Sequence, residues 1–510
     1  MVRILLWHGW ILEGSGSNVY TAKVAEMWRR QGHDVTLVCQ EQHPERFPFV
    51  DAWATAGAHG LSPAEPTGAT PAEGRLLLVR PDIGSMLPVF VYDEYEGFEQ
   101  VKRFVELTAE ELDTYLARNV AALKAIAAET GPPDAVIAGH AVPGPVVARR
   151  AFGQGRYLAK IHGSDLEYAL REQDRYVELA REGLEGARTV AGATRDVLER
   201  TASFVPSVAG RLVTVAPGVE VERFSPLPRR EALLGVAARL EADPDTARGR
   251  ADAVERRARQ ALAARDAAAL DALAGAYDQA VPDPEAARRL RTLAPGEGPL
   301  VGYLGKLIPQ KGVDHLLAAL GLVEPVKGVI VGFGRYRDWL AALTYALDAA
   351  DPEATRWLAA SGNADVELTD TQIAEVAGLG SRVTFTGRLD HRYAPGVLAA
   401  MDVLAVPSIL AEAFGMVAAE GAAAGALPLV ARHSGLAEIA DALESSLDRP
   451  GLFSYQPGPG ATHRLAAGIR TLLALPAEER GELRDAVSAF VRRTWTWERT
   501  AERLLSAALA

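Results

Sequence analysis

The sequence is almost free of cysteine, has no excess of positive charge and lacks long apolar runs. Cys39 is the only cysteine among 510 residues, so an intrachain disulfide is excluded and a reducing cytoplasm is the expected setting. The formal net charge of −12 argues against a general affinity for nucleic acid. No uninterrupted apolar segment reaches the roughly 18 residues that a membrane-spanning helix needs, so we expect no transmembrane segment. The oligomeric state is left open.

Length and composition predict more than one folded domain. Domains commonly contain roughly 100–200 residues, so 510 residues favour at least two. Hydrophobic residues make up 48% and charged residues 24% of the chain, which is ordinary for globular proteins and unlike a disordered chain.

Short β-branched or Leu-rich runs alternate with longer amphipathic stretches along the chain. This rhythm predicts βαβ units and parallel sheets. It occurs in two series, which indicates an α/β fold with two doubly wound, Rossmann-like domains. The predicted strands are 2–7, 34–40, 75–80, 134–139, 157–162 and 189–192 in the first series, then a strand from Pro299, 328–331, 382–386, 402–406 and 427–430 in the second.

A Pro- and Gly-containing stretch, VAPGVEVERFSP, separates the two series. We place the first domain at 1–212 and the second at 213–488, with a helical insertion at about 228–298 that is rich in Ala, Arg, Glu and Asp. Within it, Asp243-Pro-Asp245 resembles a metal-binding Asp-x-Asp, but a proline turn between helices explains it better. A second polar, Ala-rich segment covers 346–380.

Two carboxylates flank a Phe-Gly pair where the strand 402–406 gives way to a helix that we expect to begin near Gly415. Glu412 lies in the loop and Glu420 on the helix. A helix start presents unpaired N–H groups and the positive end of its dipole, which suits a phosphate. Carboxylates accept hydrogen bonds from sugar hydroxyls. The alternative is that these acids only stabilise the helix dipole.

The whole unit reads Pro-Ser-x3-Glu-x-Phe-Gly-x4-Glu, followed by Gly425, Pro428, Gly435 and Glu438. It resembles the signature of family 4 glycosyltransferases, which have the GT-B architecture of two Rossmann-like domains facing across a cleft. The resemblance implies that Glu412 contacts hydroxyls of the donor sugar and that the segment 489–510 is a helix crossing back to the first domain. The donor-binding residues it implies here are Ala413, Phe414, Gly415, Met416, Val417 and Glu420, the last of these at the ribose.

Two lysines follow the first strand of the second domain, in the sequence Gly305-Lys306-Leu-Ile-Pro-Gln-Lys311-Gly. Open α/β sheets bind ligands at this carboxyl edge. The family has a basic pair here that neutralises the diphosphate, often Arg then Lys, so the resemblance gives that role to Lys306 and Lys311 and a donor contact to Gly305. Lysine keeps the charge without arginine's bidentate fork. Solvated loop lysines are the alternative.

Glycines also join the first strand of the first domain to a helix that we expect to start near Val19. Gly14, Ser15 and Gly16 would allow a close backbone approach to the donor. A glycine-rich loop is by itself a weak signal, and the family usually has adjacent glycines here. The continuation Asn18-Val19-Tyr20 resembles that of family members that glycosylate small polar acceptors, so Asn18 is an acceptor candidate.

A His-Gly-Ser-Asp sequence, His162 to Asp165, follows the strand 157–162. It resembles the family's loop that reaches the donor sugar, so His162 is a catalytic candidate and Gly163 and Asp165 are donor-binding candidates. His140, at another strand end, is a weaker acceptor candidate. The alternative for each histidine is a purely structural role.

These features together predict a retaining glycosyltransferase. The resemblance implies a nucleotide-diphosphate sugar, linked to UDP or GDP, as co-substrate, with no cofactor and no metal. The acceptor is a small molecule, a glycan or a lipid-linked hydroxyl. The alternatives are a sugar-nucleotide 2-epimerase of the same fold and a catalytically silent partner subunit. A nicotinamide dehydrogenase is disfavoured because no complete Gly-x-Gly-x-x-Gly follows the first strand.

Overall fold

A computed structural model describes residues 1–92, 95–296, 298–362, 364, 366–376 and 378–510. Asn363, Asp365 and Ala377 of the polar segment 346–380, and Glu297 at the end of the predicted insertion, lie outside the described residues. The chain forms two compact units, 1–218 with 496–510 and 219–495. In the described ranges no helix is long and apolar enough to cross a membrane.

The first unit is built on a mostly parallel sheet of ten strands in the described part of the chain, in the order β12-β11-β10-β9-β1-β2-β6-β3-β4 with β5 beside β3. The antiparallel pairs are β3 with β4 and β3 with β5. A separate parallel pair joins β7 to β8. The strands are β1 (Arg3–Trp7), β2 (Asp34–Val38), β3 (Ala52–Gly57), β4 (Gly60–Leu61), β5 (Glu65–Pro66), β6 (Arg75–Pro81), β7 (Met86–Val89), β8 (Gln100–Arg103), β9 (Ala135–Gly139), β10 (Leu158–Lys160), β11 (Thr189–Gly192) and β12 (Leu212–Thr214).

Helices pack on both faces of this sheet, as the amphipathic stretches predict. The longest starts with a capping box in which Thr108 Oγ1 accepts from the Glu111 N–H at 3.1 Å and Glu111 Oε2 accepts from the Thr108 N–H at 2.9 Å. The helices are α1 (Gly16–Arg30), α2 (Ala109–Thr130), α3 (Gly144–Phe152), α4 (Asp174–Gly186) and α5 (Arg195–Phe204).

The second unit contains a six-stranded, all-parallel sheet within the described residues, in the order β15-β14-β13-β16-β17-β18. Its strands are nearly continuous apolar runs because helices cover both faces. The strands are β13 (Leu300–Lys306), β14 (Lys327–Phe333), β15 (Val383–Phe385), β16 (Val403–Val406), β17 (Leu427–Ala431) and β18 (Ser454–Tyr455).

The helices of the second unit include four, α6 to α9, that precede its sheet and lie within 228–298; that this segment is an insertion stays a prediction. The helices are α6 (Arg229–Glu241), α7 (Asp252–Ala264), α8 (Ala267–Leu273), α9 (Ala286–Leu293), α10 (Val313–Gly321), α11 (Arg337–Asp348), α12 (Pro352–Gly362), α13 (Asp370–Glu375), α14 (Leu379–Arg382), α15 (Ala394–Ala400), α16 (Met416–Ala423), α17 (Ser434–Leu447), α18 (Ala461–Ala474) and α19 (Ala477–Thr494).

The last helix, α20 (Trp497–Leu509), belongs to the first unit. Trp28 is fully buried against it and donates its indole N–H to the Ala501 carbonyl at 2.9 Å. Thr500 Oγ1 donates to the Ala216 carbonyl at 2.9 Å. These contacts pack α20 beside α1.

The predicted α/β fold with two Rossmann-like sheets is confirmed. Each predicted strand is present within two residues of its expected bounds, whereas β3, β4, β5, β7, β8, β12 and β18 were not predicted. Asp243 sits at a proline turn, as expected: its Oδ1 accepts from the Asp245 N–H at 3.0 Å and its Oδ2 from the Tyr393 hydroxyl at 2.6 Å.

Candidate functional site

The sheet of the second unit reverses its strand order between β13 and β16, which are neighbours. In open parallel sheets such a switch point opens a crevice at the carboxyl ends of the strands, where ligands bind. The loop 307–312 follows β13 and the loop 407–415 follows β16. The two loops that carry the predicted donor-binding residues of this unit therefore meet at one place.

Lys311 and Glu412 meet across these loops. Lys311 Nζ donates a hydrogen bond to Glu412 Oε1. Their side chains keep 24% and 22% of their exposure, so neither is sealed in the core. Separating a partly exposed ion pair costs little free energy. Lys311 and Glu412 can therefore each give up the other and bind a ligand instead.

Lys306 ends β13 and is exposed. Its carbonyl accepts from the Tyr303 hydroxyl at 2.9 Å, and burial raises the pKa of Tyr303, so that hydroxyl stays protonated as a donor. Gly305 is half-buried beside it. Lys306 therefore lies at the carboxyl end of β13, at the same edge of the sheet as the loop 407–415.

Gly312 joins the loop after β13 to α10 in a left-handed conformation, with φ at 64°. A Cβ at this position would overlap the carbonyl oxygen of Pro407. The Gln310 carbonyl accepts from the N–H groups of Ile409 and Leu410 at 2.8 and 3.1 Å. The two loops are therefore bound backbone to backbone.

The backbone of Glu412 is fixed from the other side by the turn after β17. Its N–H donates to Ser434 Oγ at 2.9 Å, and its carbonyl accepts from the Gly435 N–H at 2.9 Å. His433 Nε2 donates to the Ser408 carbonyl at 2.6 Å, because a carbonyl can only accept. Three consecutive residues, His433 to Gly435, thus hold the loop in place, and of these only Gly435 belongs to the motif found in the sequence.

Helix α16 starts at the switch point, directly after the loop 407–415. Gly415 is the N-cap residue, in a left-handed conformation with φ at 104°. Within the described residues no side chain caps this helix, and its first turn contains no acid. The first amides after Phe414 and Gly415 can therefore donate to an anion.

Glu420 lies on α16, and its carboxylate oxygen Oε1 is 3.7 Å from His391 Nε2. The nearby carboxylate raises the pKa of His391. The sequence did not reveal this neighbour of Glu420, because His391 stands alone in a loop with no motif around it. The glutamate side chain keeps 12% of its exposure.

The first unit has its own switch point between β1 and β9, where three histidines gather. His8 follows β1, His140 follows β9 and His162 follows β10. The ring centroids of His140 and His162 are 4.7 Å apart, and those of His8 and His140 are 5.9 Å apart. Burial lowers the pKa of His8 and of His140 to about 3 and that of His162 well below its usual 6.5. All three rings are neutral at pH 7.

Asn18 is buried beneath this cluster. Its Oδ1 lies 2.9 Å from His8 Nε2, and its amide nitrogen donates to the Glu13 carbonyl. The acceptor contact of Asn18 stays a prediction. In the structure, the Asn18 side chain contacts the His8 ring and so orients it. His140 is also buried, yet in the described part of the chain neither of its ring nitrogens has a hydrogen-bond partner.

Asp165 is fully buried at the end of the His-Gly-Ser-Asp loop. Its Oδ1 accepts from the Gly163 N–H at 2.7 Å, and its Oδ2 accepts from the Ala141 N–H. The carboxylate therefore ties the loop after β10 to the loop after β9. A donor contact of Asp165 stays a prediction, and the structure shows the residue shaping the loop that carries His162.

Lys160 is a second residue that the sequence did not single out. It is buried at the end of β10, with its ammonium 4.7 Å from the centre of the Tyr20 ring and donating to the Ile161 carbonyl at 3.2 Å. Burial lowers its pKa to about 7. A buried lysine was invisible in the sequence because it sits within an otherwise apolar strand.

The glycine-rich loop of the first unit is exposed, including Gly14, Ser15 and Gly16. Helix α1 begins at Gly16, three residues before the predicted start at Val19, because Ser15 Oγ accepts from the Asn18 N–H at 3.3 Å and so caps the helix earlier. No heavy atom outside the immediate neighbours lies within 4 Å of a Cβ built on Gly14 or Gly16. The loop thus has open space on its outer side.

One large cavity lies elsewhere. A space of about 790 Å³, lined by Arg229, Pro299, Asp402 and Arg484 among others, is at the amino ends of β13 and β16. This edge is opposite to the loops described above, and Arg229 and Arg484 are both paired with Asp402 there. We assign no ligand to it.

Two family models match the chain. The model described as "Glycosyl transferase 4-like domain" matches residues 15–218, and the model described as "Glycosyl transferases group 1" matches residues 285–490. The first match coincides with most of the first unit and the second with the sheet of the second unit.

A curated relative agrees with these models, and solved structures share the fold. The D-inositol 3-phosphate glycosyltransferase of Mycobacterium tuberculosis is 31% identical over 195 residues, which are 37% of this chain and 38% of the relative. Sucrose-phosphate synthase from Thermosynechococcus elongatus superposes with a TM-score of 0.58 at 18% identity, covering 99% of this chain and 98% of that one. HepE from Anabaena, solved in complex with UDP, gives 0.58 at 14% identity, with 99% of each chain covered.

Proposed function

We propose that this chain, which belongs to the family 4-like glycosyltransferases and has their GT-B fold, transfers a sugar from a nucleotide-diphosphate donor to a hydroxyl acceptor. The observation that carries the proposal is the meeting of Lys311, Glu412 and the uncapped start of α16 at one switch point. This arrangement offers cationic and N–H donors for a diphosphate beside acceptors for hydroxyl groups.

The central chemical difficulty of the reaction is the negative charge that the diphosphate gains as it leaves. The bond between the anomeric carbon and the diphosphate oxygen breaks, a bond from that carbon to the acceptor oxygen forms, and the acceptor proton passes to the departing diphosphate. At a separation of about 4 Å and an effective dielectric of about 20, one ammonium offsets roughly 4 kcal/mol of that charge before desolvation is subtracted. We assign this task to Lys306 and Lys311.

Glu412 is assigned to the sugar and Glu420 to the ribose. When the diphosphate takes over Lys311, the Glu412 carboxylate loses its partner and gains free lone pairs, which suits it to accept from a sugar hydroxyl. Glu420 lies one helical turn into α16, beside His391. The helix thus carries a phosphate site at its start and a hydroxyl acceptor next to it.

We assign the acceptor to the first unit. The neutral rings of His140 and His162 act there as hydrogen-bond partners and not as cations. His140 has unused ring nitrogens within the described residues, so it is suited to a hydroxyl group. The assignment of His162 to the donor sugar also belongs to this proposal.

The test is a set of binding and transfer measurements. Calorimetry with UDP-linked and GDP-linked sugars identifies the donor, and incubation with a panel of hydroxyl acceptors identifies the product. Retention predicts that the product has the anomeric configuration of the donor, which proton NMR couplings report. An altered sugar nucleotide formed without an acceptor would indicate the 2-epimerase instead, and failure to bind any nucleotide sugar would indicate a silent subunit.

We also propose that the reaction needs no metal, since the two lysines take the part of a divalent cation. Chelation with EDTA is then expected to leave the transfer rate unchanged. A rate that collapses with EDTA and returns with Mg²⁺ or Mn²⁺ would contradict this part of the proposal. The cytoplasm is our proposed location, consistent with the single buried thiol of Cys39.

A further inference from the structure

A cavity of about 370 Å³ in the second unit is lined by elements on both sides of β13 in the sequence. Helices α7 and α9 precede this strand, and α11 and β15 follow it. Five arginines and two carboxylates line it among the described residues: Arg250, Arg259, Arg288, Arg289 and Arg337 with Asp252 and Glu255. None of these residues belongs to the donor loops.

Two of the arginines are buried and incompletely paired. Arg250 and Arg337 have only 2% and 4% exposure. Arg250 Nε donates to Asp338 Oδ1 at 2.8 Å, and Arg337 Nη2 lies 3.5 Å from Asp283 Oδ2. Within the described residues, Nη2 of Arg250 and both Nε and Nη1 of Arg337 have no hydrogen-bond partner. Buried donors without a partner are costly and rare in folded proteins.

The two guanidinium groups also repel each other. Burial lowers the pKa of Arg337, and the neighbouring Arg250 lowers it further, while Asp283 and Asp338 act in the opposite direction. The Arg337 guanidinium stacks on the Phe385 ring at 3.9 Å, which fixes its plane beside β15. Two like charges held in fixed positions in a partly desolvated space favour an anion between or beside them.

The exposed arginines of the cavity are Arg259 and Arg288, which keep 51% and 67% of their side-chain exposure. Each already pairs with a carboxylate, Arg259 with Glu255 at 3.3 Å and Arg288 with Asp252 at 3.1 Å. The hydroxyl-bearing residues Thr344 and Thr384 line the same space. An entering anion would compete with these two carboxylates for the exposed guanidinium groups.

We propose that this cavity binds a phosphate-sized oxyanion, either inorganic phosphate or the phosphoryl group of a small metabolite. The chemistry is that of arginine recognising tetrahedral oxyanions through paired N–H donors. The volume admits a phosphorylated sugar as well as a bare ion. The site is independent of the proposed transfer reaction, because it lies outside the donor loops and draws six of its seven charged lining residues from the segment 250–289, which precedes β13.

Thermal unfolding of the intact protein tests the site. Phosphate is expected to raise the melting temperature by about 2 °C or more beyond chloride at matched ionic strength, because it binds the native state alone. The double variant Arg259→Gln/Arg288→Gln is expected to lose at least half of that shift. A matched control, Arg171→Gln/Arg181→Gln, removes two exposed arginines of the first unit and is expected to keep it.

Two further arms separate this cavity from the donor site and the two sources of phosphate. Lys311→Ala is expected to keep the phosphate shift and to lose the shift given by a nucleotide diphosphate. If a hexose phosphate gives the same rise in melting temperature at a tenfold lower concentration than inorganic phosphate, the ligand is a phosphorylated metabolite. If both need equal concentrations, the ligand is the free ion.

Hydrogen exchange locates the binding without relying on any variant. Phosphate is expected to slow exchange in α7 and α9 and to leave α16 unchanged. The proposal is overturned if the rim variant responds to phosphate as fully as the unaltered protein, if Lys311→Ala abolishes the phosphate shift, or if the protection appears only in α16.

Discussion

Lys311 Nζ donates a hydrogen bond to Glu412 Oε1, 101 residues further along the chain, so the cation assigned to the diphosphate and the carboxylate assigned to the sugar neutralise each other before a donor arrives. The pair keeps the charges in place without burying either of them. When the donor binds, two contacts with the ligand replace the contact between Lys311 and Glu412. Lys311 then contacts the diphosphate and Glu412 contacts the sugar.

Replacing Lys311 by Ala is expected to lower sugar transfer by about 10²–10³, the usual effect of removing one preorganised group that stabilises developing charge. The fold is expected to persist, because the side chain is partly exposed and ends in a loop. Steady-state rates and melting temperature measure the two effects. The matched control is Lys327→Ala, which removes a lysine at the opposite, amino-terminal end of β14 and is expected to transfer normally. Normal transfer by Lys311→Ala would reject its role.

Replacing Glu412 by Gln should separate binding of the nucleotide from transfer of the sugar. The variant frees Lys311, so a nucleotide diphosphate without a sugar is expected to bind as tightly as before or more tightly. Transfer is expected to fall by roughly tenfold to a hundredfold, since a hydrogen bond to a charged group contributes about 1.5–3 kcal/mol. Calorimetry measures the affinity for the nucleotide diphosphate, and steady-state rates measure sugar transfer. Equal losses in diphosphate affinity and in rate would contradict the assignment of Glu412 to the sugar.

Gly312 is expected to tolerate no side chain. Gly312→Ala forces a residue with a Cβ into a left-handed conformation and against the Pro407 carbonyl, so the two donor loops must separate. We expect a loss of more than about 1 kcal/mol in the free energy of unfolding together with weaker donor binding.

The control for Gly312→Ala is Gly481→Ala, which lies within α19 with open space around it. There the substitution is expected to stabilise the protein by about 0.5–1 kcal/mol, because alanine favours the helix. Denaturant unfolding measures both variants. A fully stable Gly312→Ala protein with normal donor affinity would show that the contact between the loops is dispensable.

The first unit is expected to lose stability in mild acid. The unfolded chain protonates its histidines near pH 6.5, whereas folded His8 and His140 resist protonation until about pH 3. The free energy of unfolding therefore falls as the pH drops through 6.5, by up to about 1.4 kcal/mol per pH unit for each such histidine. Hydrogen exchange in β1, β9 and β10 at pH 7.5 and 5.5, corrected for intrinsic rates, measures the change.

The variant His140→Phe isolates the contribution of one ring. It is expected to reduce the slope of stability with pH, whereas His59→Gln, which alters an exposed histidine of the same unit, is expected to leave the slope unchanged. Equal slopes for the unaltered protein and His140→Phe would mean that the ring does not resist protonation in the folded state.

The central strands were predictable because both faces of a parallel sheet are covered, so each strand is an apolar run that stands out from its surroundings. The strand β3 escaped prediction because four of its six residues are Ala or Gly, and β18 because two residues give no periodicity. The start of α16 was predictable because Gly415 and the alanines that follow mark the change from loop to helix.

The partners within the site were less accessible from the sequence. The ionic contact of Lys311 with Glu412, and that of Glu420 with His391, join residues that lie far apart along the chain or in segments without a motif. The sequence also does not show which polar residues are buried. Asp165 reads as a polar loop residue, yet its buried carboxylate accepts hydrogen bonds from two backbone N–H groups. Only the three-dimensional structure distinguishes a residue placed to bind a ligand from a residue that positions another side chain or loop.

The most direct test of the account is a crystal structure of the chain with a nucleotide diphosphate bound. We expect the diphosphate oxygens at the start of α16, within hydrogen-bond distance of its first amides, with Lys311 turned from Glu412 onto the phosphate. A nucleotide bound elsewhere, such as in the cavity beside Arg229 and Arg484, with the Lys311–Glu412 contact intact, would contradict the account.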